Sequence, residues 1–474
     1  MLDPAICARA LESRDPRFDG VFFVGISTTM IYCRPICPSR LSRPDRRSYF
    51  ATAAAAERHG YRPCLRCRPE LAPGRAAVDA VSRIARAAAA RIAAGALNGT
   101  TVTQLAAEIG VSERHLRRAM EREMGVSPAE LAQTQRLLLA KCLLTDTRLP
   151  VTQVAYASGF QSLRRFHAVF RERYRMPPTA LRLQRPRAAE PRPDSATDTV
   201  RLRLPYRTPL AWRALLDTLA AEAQPGVEQV EPSRYARTVR LGDCSGTVFV
   251  QESPGGPALL VDITVSLLPA LMSLLARLRH LFDLDAEPGV VDAHLARGGL
   301  GALVHRLPGV RVPGAFDGFE AAMRELLRSG DEAAQGYTAR VIDSLGEPLE
   351  TGSPALCRLW PDAARVSRAG APVLTSLGVP EPRSRAIVAV AHAVSRGTLR
   401  LEPGADFGAA VAALVHVAQL DDVTAETIAA RALHWPDSFP GSDQRAEQWR
   451  PWRSYAAAHF ALDRAHAERR RTPA

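Results

Sequence analysis

Two cysteine pairs lie near the start of the chain, Cys33-Arg34-Pro35-Ile36-Cys37 and Cys64-Leu65-Arg66-Cys67, with 26 residues between them. Each short-spaced pair can occupy one edge of a tetrahedron, the geometry that Zn²⁺ adopts with four thiolates. Eight cysteines in 474 residues are too few for a disulfide framework, so the pattern suits metal binding in a reducing cytoplasm. Zinc holds a bound cysteine as thiolate at neutral pH, and the thiolate is the nucleophile. Two chemistries are open to such a cluster: a knot that only staples a small domain, or a centre that also reacts. Cys142, Cys244 and Cys357 stand in unrelated contexts and are expected to be buried small hydrophobes.

Charge indicates what such a centre would meet. The chain carries 62 Lys+Arg against 49 Asp+Glu, a net of +13. Residues 1–185 hold 30 basic and 15 acidic residues, a net of +15, while the remaining 289 hold 32 and 34, a net of −2. This asymmetry suggests a polyanion-binding half joined to a near-neutral half. Only one of the 62 is lysine, Lys141; the arginine preference runs through the whole chain and carries no functional weight. With 46% apolar and 23% charged residues the composition is globular. Met1 to Ala10 contains Asp3 and Arg9 and no long apolar core, so no secretory signal is expected. The most apolar long stretch, Ala258 to Leu275, contains Asp262 and Pro269, so no membrane span is expected.

Three joints divide the chain: Pro73-Gly74, the Pro- and charge-rich stretch Arg185 to Asp198, and Glu287-Pro288-Gly289. Between the first two, Val78 to Arg182 reads as helical and contains a weak duplication. Thr103 to Gly110 is followed by Val111-Ser112, and Thr152 to Gly159 by Phe160-Gln161-Ser162. In the first unit Leu105, Ile109, Leu116 and Met120 form one apolar face, with Gly110 in the turn and Ser112 as N-cap. Its second helix presents Arg114, His115, Arg117, Arg118 and Arg122. The second unit sets Leu163, Phe166 and Phe170 against Arg164, Arg165, His167 and Arg171, and a helix starting at Ser127-Pro128 joins the two. Tandem basic helix-turn-helix units inside the +15 segment point to double-stranded DNA. Residues 200–285 read as strand, helix, several strands, helix: Val200–Leu204, a helix capped at Thr208-Pro209, strands at Arg237–Leu241, Thr247–Gln251 and Leu259–Val265, then a helix from Pro269. From Phe316 onward only helices are expected, broken at Pro348, Pro361, Pro372, Pro382 and Pro403.

The residues around the four cysteines, Thr28 to Cys37 and Gly60 to Pro69, resemble the amino-terminal domain of the Ada family of alkylation-damage response proteins, over roughly residues 3–70. The resemblance implies Zn²⁺ as cofactor. It also implies that Cys33 accepts a methyl group from a methyl phosphotriester in DNA while Cys37, Cys64 and Cys67 complete the site. Four thiolates on Zn²⁺ sum to −2 and methylating one leaves −1, so a single irreversible transfer would strengthen phosphate binding and act as a switch. Arg34, Arg40, Arg43, Arg46 and Arg47 are the expected phosphate-facing charges. The run Val154 to Phe166, with Phe170, Pro178 and Leu181-Arg182, resembles the AraC-type regulator signature, departing from it at Arg175-Met176-Pro177, where the family usually has Gly.

Residues 200–474 resemble AlkA-type 3-methyladenine DNA glycosylases, most closely at Thr424 to Asp443 and at Trp449-Arg450-Pro451-Trp452-Arg453-Ser454-Tyr455. In that family a carboxylate closes the first segment, and Asp443 occupies its position. Its implied task is to stabilise the oxocarbenium that develops as a flipped, cationic N-alkylpurine departs. The sequence departs from the family in three places. Leu420-Asp421-Asp422-Val423 replaces the Gly-containing hairpin whose backbone N–H groups hold a DNA phosphate. Thr427 stands where an aromatic residue usually lines the base pocket. Leu327 to Asp331 stands where a helix of the family usually ends in a GQQVS-like segment.

The expected architecture is multidomain, mainly α with α+β parts: a small zinc domain (1–73), a tandem helix-turn-helix (76–184), a linker (185–198), a TBP-like α+β domain (199–286) and a helix-hairpin-helix-type helical domain (287–474). The expected function is a DNA alkylation response in a bacterial, nucleoid-associated cytoplasmic protein. Methyl transfer to Cys33 would switch sequence-specific DNA binding for transcriptional activation, with RNA polymerase as a partner and excision of 3-methyladenine-type bases by the second half. The alternative is a sensor and regulator whose glycosylase-like half is catalytically inactive.

Overall fold

Short alternating runs rich in Phe, Val, Ile and Tyr favour strands around the cysteines. The computed structural model, which describes residues 3–73, 83–183, 199–328, 336–439 and 444–471, forms them as β1 (Phe23–Ile26), β2 (Ile31–Cys33), β3 (Arg47–Phe50) and β4 (Arg62–Pro63). Their order is β3-β1-β2-β4. The β1–β2 and β1–β3 pairs are antiparallel, and β2–β4 is parallel, with Ile31 opposite Arg62 and Tyr32 opposite Pro63. Two short helices flank the sheet: α1 (Pro4–Glu12), capped by the Asp3 carboxylate, and α2 (Ala53–Arg58), capped by Thr52.

Seven helices follow: α3 (Arg83–Ala93), α4 (Val102–Ile109), α5 (Glu113–Met124), α6 (Pro128–Asp146), α7 (Val151–Ala157), α8 (Leu163–Tyr174) and α9 (Pro178–Leu183). The expected signals operate. Gly110 ends α4 in the left-handed conformation, Ser112 and Ser162 cap α5 and α8, and Ser127 with Glu130 forms a capping box at Pro128. Leu105, Leu116, Met120, Phe166 and Phe170 are buried, and Ile109 is half-buried. Arg175, in the place of the family glycine, ends α8 at φ 57°, its N–H donating to the Arg171 carbonyl at 2.9 Å.

The chain then runs through β5 (Thr199–Pro205), α10 (Trp212–Ala220), β6 (Glu228–Val230), β7 (Arg234–Leu241), β8 (Cys244–Glu252), β9 (Ala258–Thr264) and α11 (Leu271–Leu281). It divides into two compact units, residues 1–207 with 253–276 and residues 208–252 with 277–474. In the first unit β5 pairs antiparallel with β9; in the second, β6, β7 and β8 form an antiparallel ladder. The sequence places these strands well except β6, whose three half-buried residues give no alternating signal. The helix expected at Thr208-Pro209 begins later, at Trp212, after a cis Thr208–Pro209 bond.

The second unit continues with α12 (Pro288–Leu295), α13 (Gly301–Arg306), α14 (Gly318–Leu327), α15 (Tyr337–Leu345), α16 (Ala363–Ser376), α17 (Glu381–Ser395), α18 (Phe407–Ala418), α19 (Asp422–Leu433) and α20 (Arg453–Arg471). Two expected breaks fall inside helices. Pro372 sits just past a kink at Gly370 within α16, and Pro382 occupies the first turn of α17, where its missing N–H costs no bond. The main core packs α14, α16, α17, α18 and α19, and a second cluster gathers Trp449, Trp452 and Tyr455 on Leu295, Leu300 and Ala456. Cys142 is buried as expected, whereas Cys244 and Cys357 are only half-buried, because each lies at the edge of its element or in a loop. No described helix is long and apolar enough to cross a membrane.

Two stability predictions follow from local geometry. A left-handed residue with a β-carbon is strained by about 1–2 kcal/mol, so Arg175→Gly should raise the thermal midpoint of the first unit, read by circular dichroism. In the second unit His459 is buried, its Nε2 has no hydrogen-bond partner, and burial lowers its pKa to about 4. The unfolded chain binds this proton near pH 6.5, so the stabilisation is complete above that value and lost as pH falls toward 4. Urea titrations should show that loss at pH 4–6, and His459→Leu should reduce it.

Candidate metal centre and nucleic-acid interface

The parallel β2–β4 pair is what joins the two cysteine pairs. Cys33 ends β2 and Cys64 follows β4, and the Cys64 N–H donates to the Tyr32 carbonyl at 3.0 Å. The four Sγ atoms of Cys33, Cys37, Cys64 and Cys67 consequently lie within 4.8 Å of one another, and all four residues are buried. Tetrahedral Zn–S bonds of about 2.3 Å require sulfurs about 3.8 Å apart, so this donor set fits zinc. At such distances the thiols share protons. Contacts with Cys37, Cys64 and Cys67, and then burial, hold the Cys33 thiol well above its ordinary value. The contact with Cys33 pulls Cys37 well below it and, as the leading cause, takes Cys64 to about 6.

Three of the sulfurs have a polar neighbour outside the cluster. The Arg34 N–H donates to Cys67 Sγ and the Arg66 N–H to Cys64 Sγ, each at 3.4 Å, and Ser39 Oγ lies 3.4 Å from Cys37 Sγ. Among the described residues no such group reaches Cys33 Sγ.

The arginines expected on phosphate divide into two groups. Arg34 turns inward, donating through Nε to Asp19 Oδ1 at 2.8 Å, through Nη2 to Oδ2, and through Nη1 to the Cys67 carbonyl at 3.2 Å. Arg47 is also engaged, through Nε to the Ser42 carbonyl at 2.8 Å and through Nη1 to Glu12 at 3.1 Å, with its side chain only 5% exposed. Both therefore brace the module. Arg40 and Arg43 are exposed, and Arg46 is exposed beside Asp45.

On the recognition helices Arg114, His115, Arg118 and Arg122 of α5, and Arg164, Arg165 and Arg171 of α8, face solvent. Arg117 is tied to Glu113 one turn earlier at 2.7 Å, and His167 is half-buried with its ring edge on Phe166. Sequence reasoning missed Asp19, Glu57 and Glu70, the buried acids of the zinc module. Their one available signal was acids standing in a small basic domain.

In the second unit Asp443 lies outside the described residues. The segments on either side of it are firmly held. Asp437 accepts from Arg453 Nε at 2.6 Å and Arg450 Nη1 at 2.5 Å, Ser454 Oγ donates to the Trp435 carbonyl at 2.9 Å, and Trp449 Nε1 donates to the Gly298 carbonyl at 2.8 Å. The departures at the hairpin take a definite form. Helices α18 and α19 still make a hairpin, through Gln419 at φ 52° instead of a glycine. Asp421 then caps α19, its carboxylate accepting from the Thr424 N–H at 2.9 Å and the Thr424 hydroxyl at 2.7 Å. Thr427 donates its hydroxyl to the Val423 carbonyl within the same helix at 2.8 Å.

Fold and site together define a class: a four-cysteine metal module and a tandem helix-turn-helix ahead of a glycosylase-like half. Residues 6–70 match the metal binding domain of Ada, 105–184 a helix-turn-helix domain and 201–317 the AlkA N-terminal domain. Over 480 residues the chain is 36% identical to a Mycobacterium tuberculosis protein described as "Probable bifunctional transcriptional activator/DNA repair enzyme AlkA", a match spanning 96% of this chain and 95% of that one. It is 32% identical over 275 residues to Escherichia coli DNA-3-methyladenine glycosylase 2, spanning 54% of this chain and 95% of that one. It is also 32% identical over 129 residues to the Escherichia coli "Bifunctional transcriptional activator/DNA repair enzyme Ada", spanning 27% and 35%. The chain belongs to the family of bifunctional transcriptional activator and DNA repair proteins of the Ada–AlkA type.

The centre predicts one zinc per chain by elemental analysis. Cys37→Ala should abolish retention of the metal through gel filtration and unfold residues 3–73, since structural zinc supplies roughly 10–16 kcal/mol of binding free energy to its fold. Full zinc content in that variant would contradict the assignment.

Proposed function

We propose that Cys33 is the nucleophile of a self-methylating DNA repair reaction, and that its methylation switches the helix-turn-helix pair for transcriptional activation, with RNA polymerase as the partner. The observation carrying this reading is the unequal solvation of the sulfurs. Cys37, Cys64 and Cys67 each share charge with a polar neighbour, and among the described residues Cys33 has none outside the cluster. A thiolate keeps its reactivity when its charge is not drawn off by donors. Zinc, when bound, supplies the positive charge that keeps the four thiols deprotonated at neutral pH.

The reaction balances without acid or base. The Cys33 sulfur pair attacks the methyl carbon of a neutral phosphotriester, and the S–C bond forms as the C–O bond breaks. The phosphodiester leaves with its bonding pair as an anion. Exposed Arg40, Arg43 and Arg46 supply charge for the DNA backbone, while Arg34 and Arg47 hold the module's shape. Arg114, His115, Arg118, Arg164 and Arg165 are the residues we assign to DNA in the grooves.

For the second half we favour the regulator reading. A helix N-terminus attracts phosphate through its free N–H groups and dipole. Here the Asp421 carboxylate occupies that end of α19, and the exposed Asp422 adds a second negative charge. Thr427 offers no aromatic face to a base. The first feature opposes docking of the hairpin on DNA and the second removes a stacking surface for a flipped base, so both oppose the excision of 3-methyladenine-type bases by Asp443.

Incubation with duplex DNA carrying methyl phosphotriesters should add one methyl mass to the peptide containing Cys33, and Cys33→Ser should prevent it. No added mass on the parent protein would overturn the acceptor reading. Methylated DNA should release no 3-methyladenine above the spontaneous rate. Release that disappears in Asp443→Asn would instead establish a working glycosylase.

A further inference from the structure

A recess of about 340 Å³ opens among α2, the start of α4, α6 and α8 in the first unit. Arginines line it from three of these helices: Arg58 of α2, Arg136 of α6, and Arg165 and Arg173 of α8. Among the described residues Glu130 is the one acid of the lining, so four guanidiniums against one carboxylate leave a net of +3. A cleft lined by one sign of charge concentrates counter-ions of the other sign. Neutral side chains complete it. Leu97, Val102 and Ala132 contribute apolar surface, and Gln133 contributes an amide that makes no hydrogen bond among the described residues.

The four arginines are held in place mostly without being neutralised. Arg136 donates through Nε to the Asn98 side-chain oxygen at 2.8 Å and through Nη2 to the Leu97 carbonyl. Arg58 donates through Nη1 to the Gly125 carbonyl at 2.9 Å. Neutral acceptors of this kind fix a guanidinium and leave its charge uncompensated. The Arg165 side chain is exposed and forms no ion pair among the described residues. Of the four, only Arg173 has such a pair there, with Glu57 at 3.5 Å. Burial, and after it the charge of nearby Arg165, pulls the pKa of half-buried Arg136 below its ordinary value. Two cations that repel beside a low-dielectric wall gain from an anion placed between them.

We propose that this recess binds a free nucleoside polyphosphate, with Arg136 and Arg165 on the phosphates and the base against Leu97 and Val102. The +3 of the lining is close to the charge of roughly −3 that a nucleoside diphosphate carries at neutral pH. A volume of about 340 Å³ stands at the lower end of small-molecule sites, which fits a single nucleotide. Duplex DNA is the less suitable occupant. Its backbone phosphates would meet exposed Arg165, and would leave half-buried Arg136 and the apolar surface unused. Arg165 is also among the residues assigned to DNA above, so nucleotide and duplex compete for one guanidinium. That competition rests on the assignment; the binding site does not.

The test is calorimetric titration of the full zinc-loaded chain with ADP, without DNA or added metal, and one site per chain is expected. Gln133→Glu adds a second carboxylate to the recess on a side chain of the same shape with no hydrogen bond to lose, and should weaken ADP about tenfold. Arg58→Gln, at an exposed residue of α2, should weaken it severalfold. Both variants should keep the zinc content and thermal midpoint of the parent, as substitutions outside the core do. Inorganic pyrophosphate should bind about tenfold more weakly than ADP, because it cannot use the apolar surface. No ADP binding at millimolar concentration overturns the proposal, as does unchanged affinity in Gln133→Glu or equal affinity for pyrophosphate. A parent that ignores ADP while Gln133→Glu weakens a short duplex of arbitrary sequence would place a backbone phosphate in the recess instead. At matched ionic strength, saturating ADP should weaken duplex binding by the parent severalfold. Undiminished duplex binding beside a normal ADP titration overturns the competition and the placing of Arg165 on DNA, and leaves the nucleotide site standing.

Discussion

Two residues of parallel pairing carry most of the weight of the first unit. Ile31 opposite Arg62 and Tyr32 opposite Pro63 form a ladder too short to be stable alone. It is nevertheless the contact that turns two distant cysteine pairs into one cluster. Four thiols so close together are a poor neutral core and a good cation site, so ladder and metal depend on each other. This is the usual condition of a domain too small to fold on apolar burial. The bracing arginines belong to the same economy. Asp19 fixes Arg34 next to Cys33, and Arg34 in turn holds the Cys67 carbonyl, so charge that the composition offers to DNA is partly used within the module.

The second unit is stabilised differently. Its helices share an apolar core, and several of its charges are paired within it: Arg237 with Glu320 at 2.7 Å is buried, Arg324 with Glu228 and Glu320 is largely buried, and Arg431 with Glu222 at 2.6 Å is half-buried. Such pairs repay their desolvation only when their geometry is fixed, so they specify packing more than they add stability. Part of the charge of this half is thus used inside its structure, and the tip of its hairpin presents a carboxylate. In the first unit the exposed face of α5 keeps its arginines in solvent. The contrast between the halves in net charge thus continues as a contrast in how charge is used.

Much of the molecule was legible from residue order. Caps at Ser112, Ser127 and Ser162, the glycine turn at Gly110 and the apolar spacing of α5 and α8 are local signals, and the helices appear where they predict. Errors arose where local rules were overridden by context. Proline removes a donor and so predicts breaks at Pro372 and Pro382, yet one lies beside a glycine kink and the other in a first turn that has no bond to lose. The three residues of β6 have too little pattern to be seen without their partner strand.

The sequence by itself determined the chemistry available: four thiols with metal-ligand spacing, two basic helices in tandem, and a hairpin without its glycine. These follow from residue type and short-range spacing, which the chain carries in one dimension. Only the tertiary structure decided which charges are free and which are committed. Arg34 and Arg40 look alike in sequence, yet one is bound to Asp19 and the other faces solvent. Nothing in the order of residues placed Glu57, Glu70 and Lys141 in a buried seam between the cysteine cluster and α6. The physical reason is separation: Lys141 meets its partners across more than seventy positions, and burial removes the water that would otherwise make those charges independent of one another.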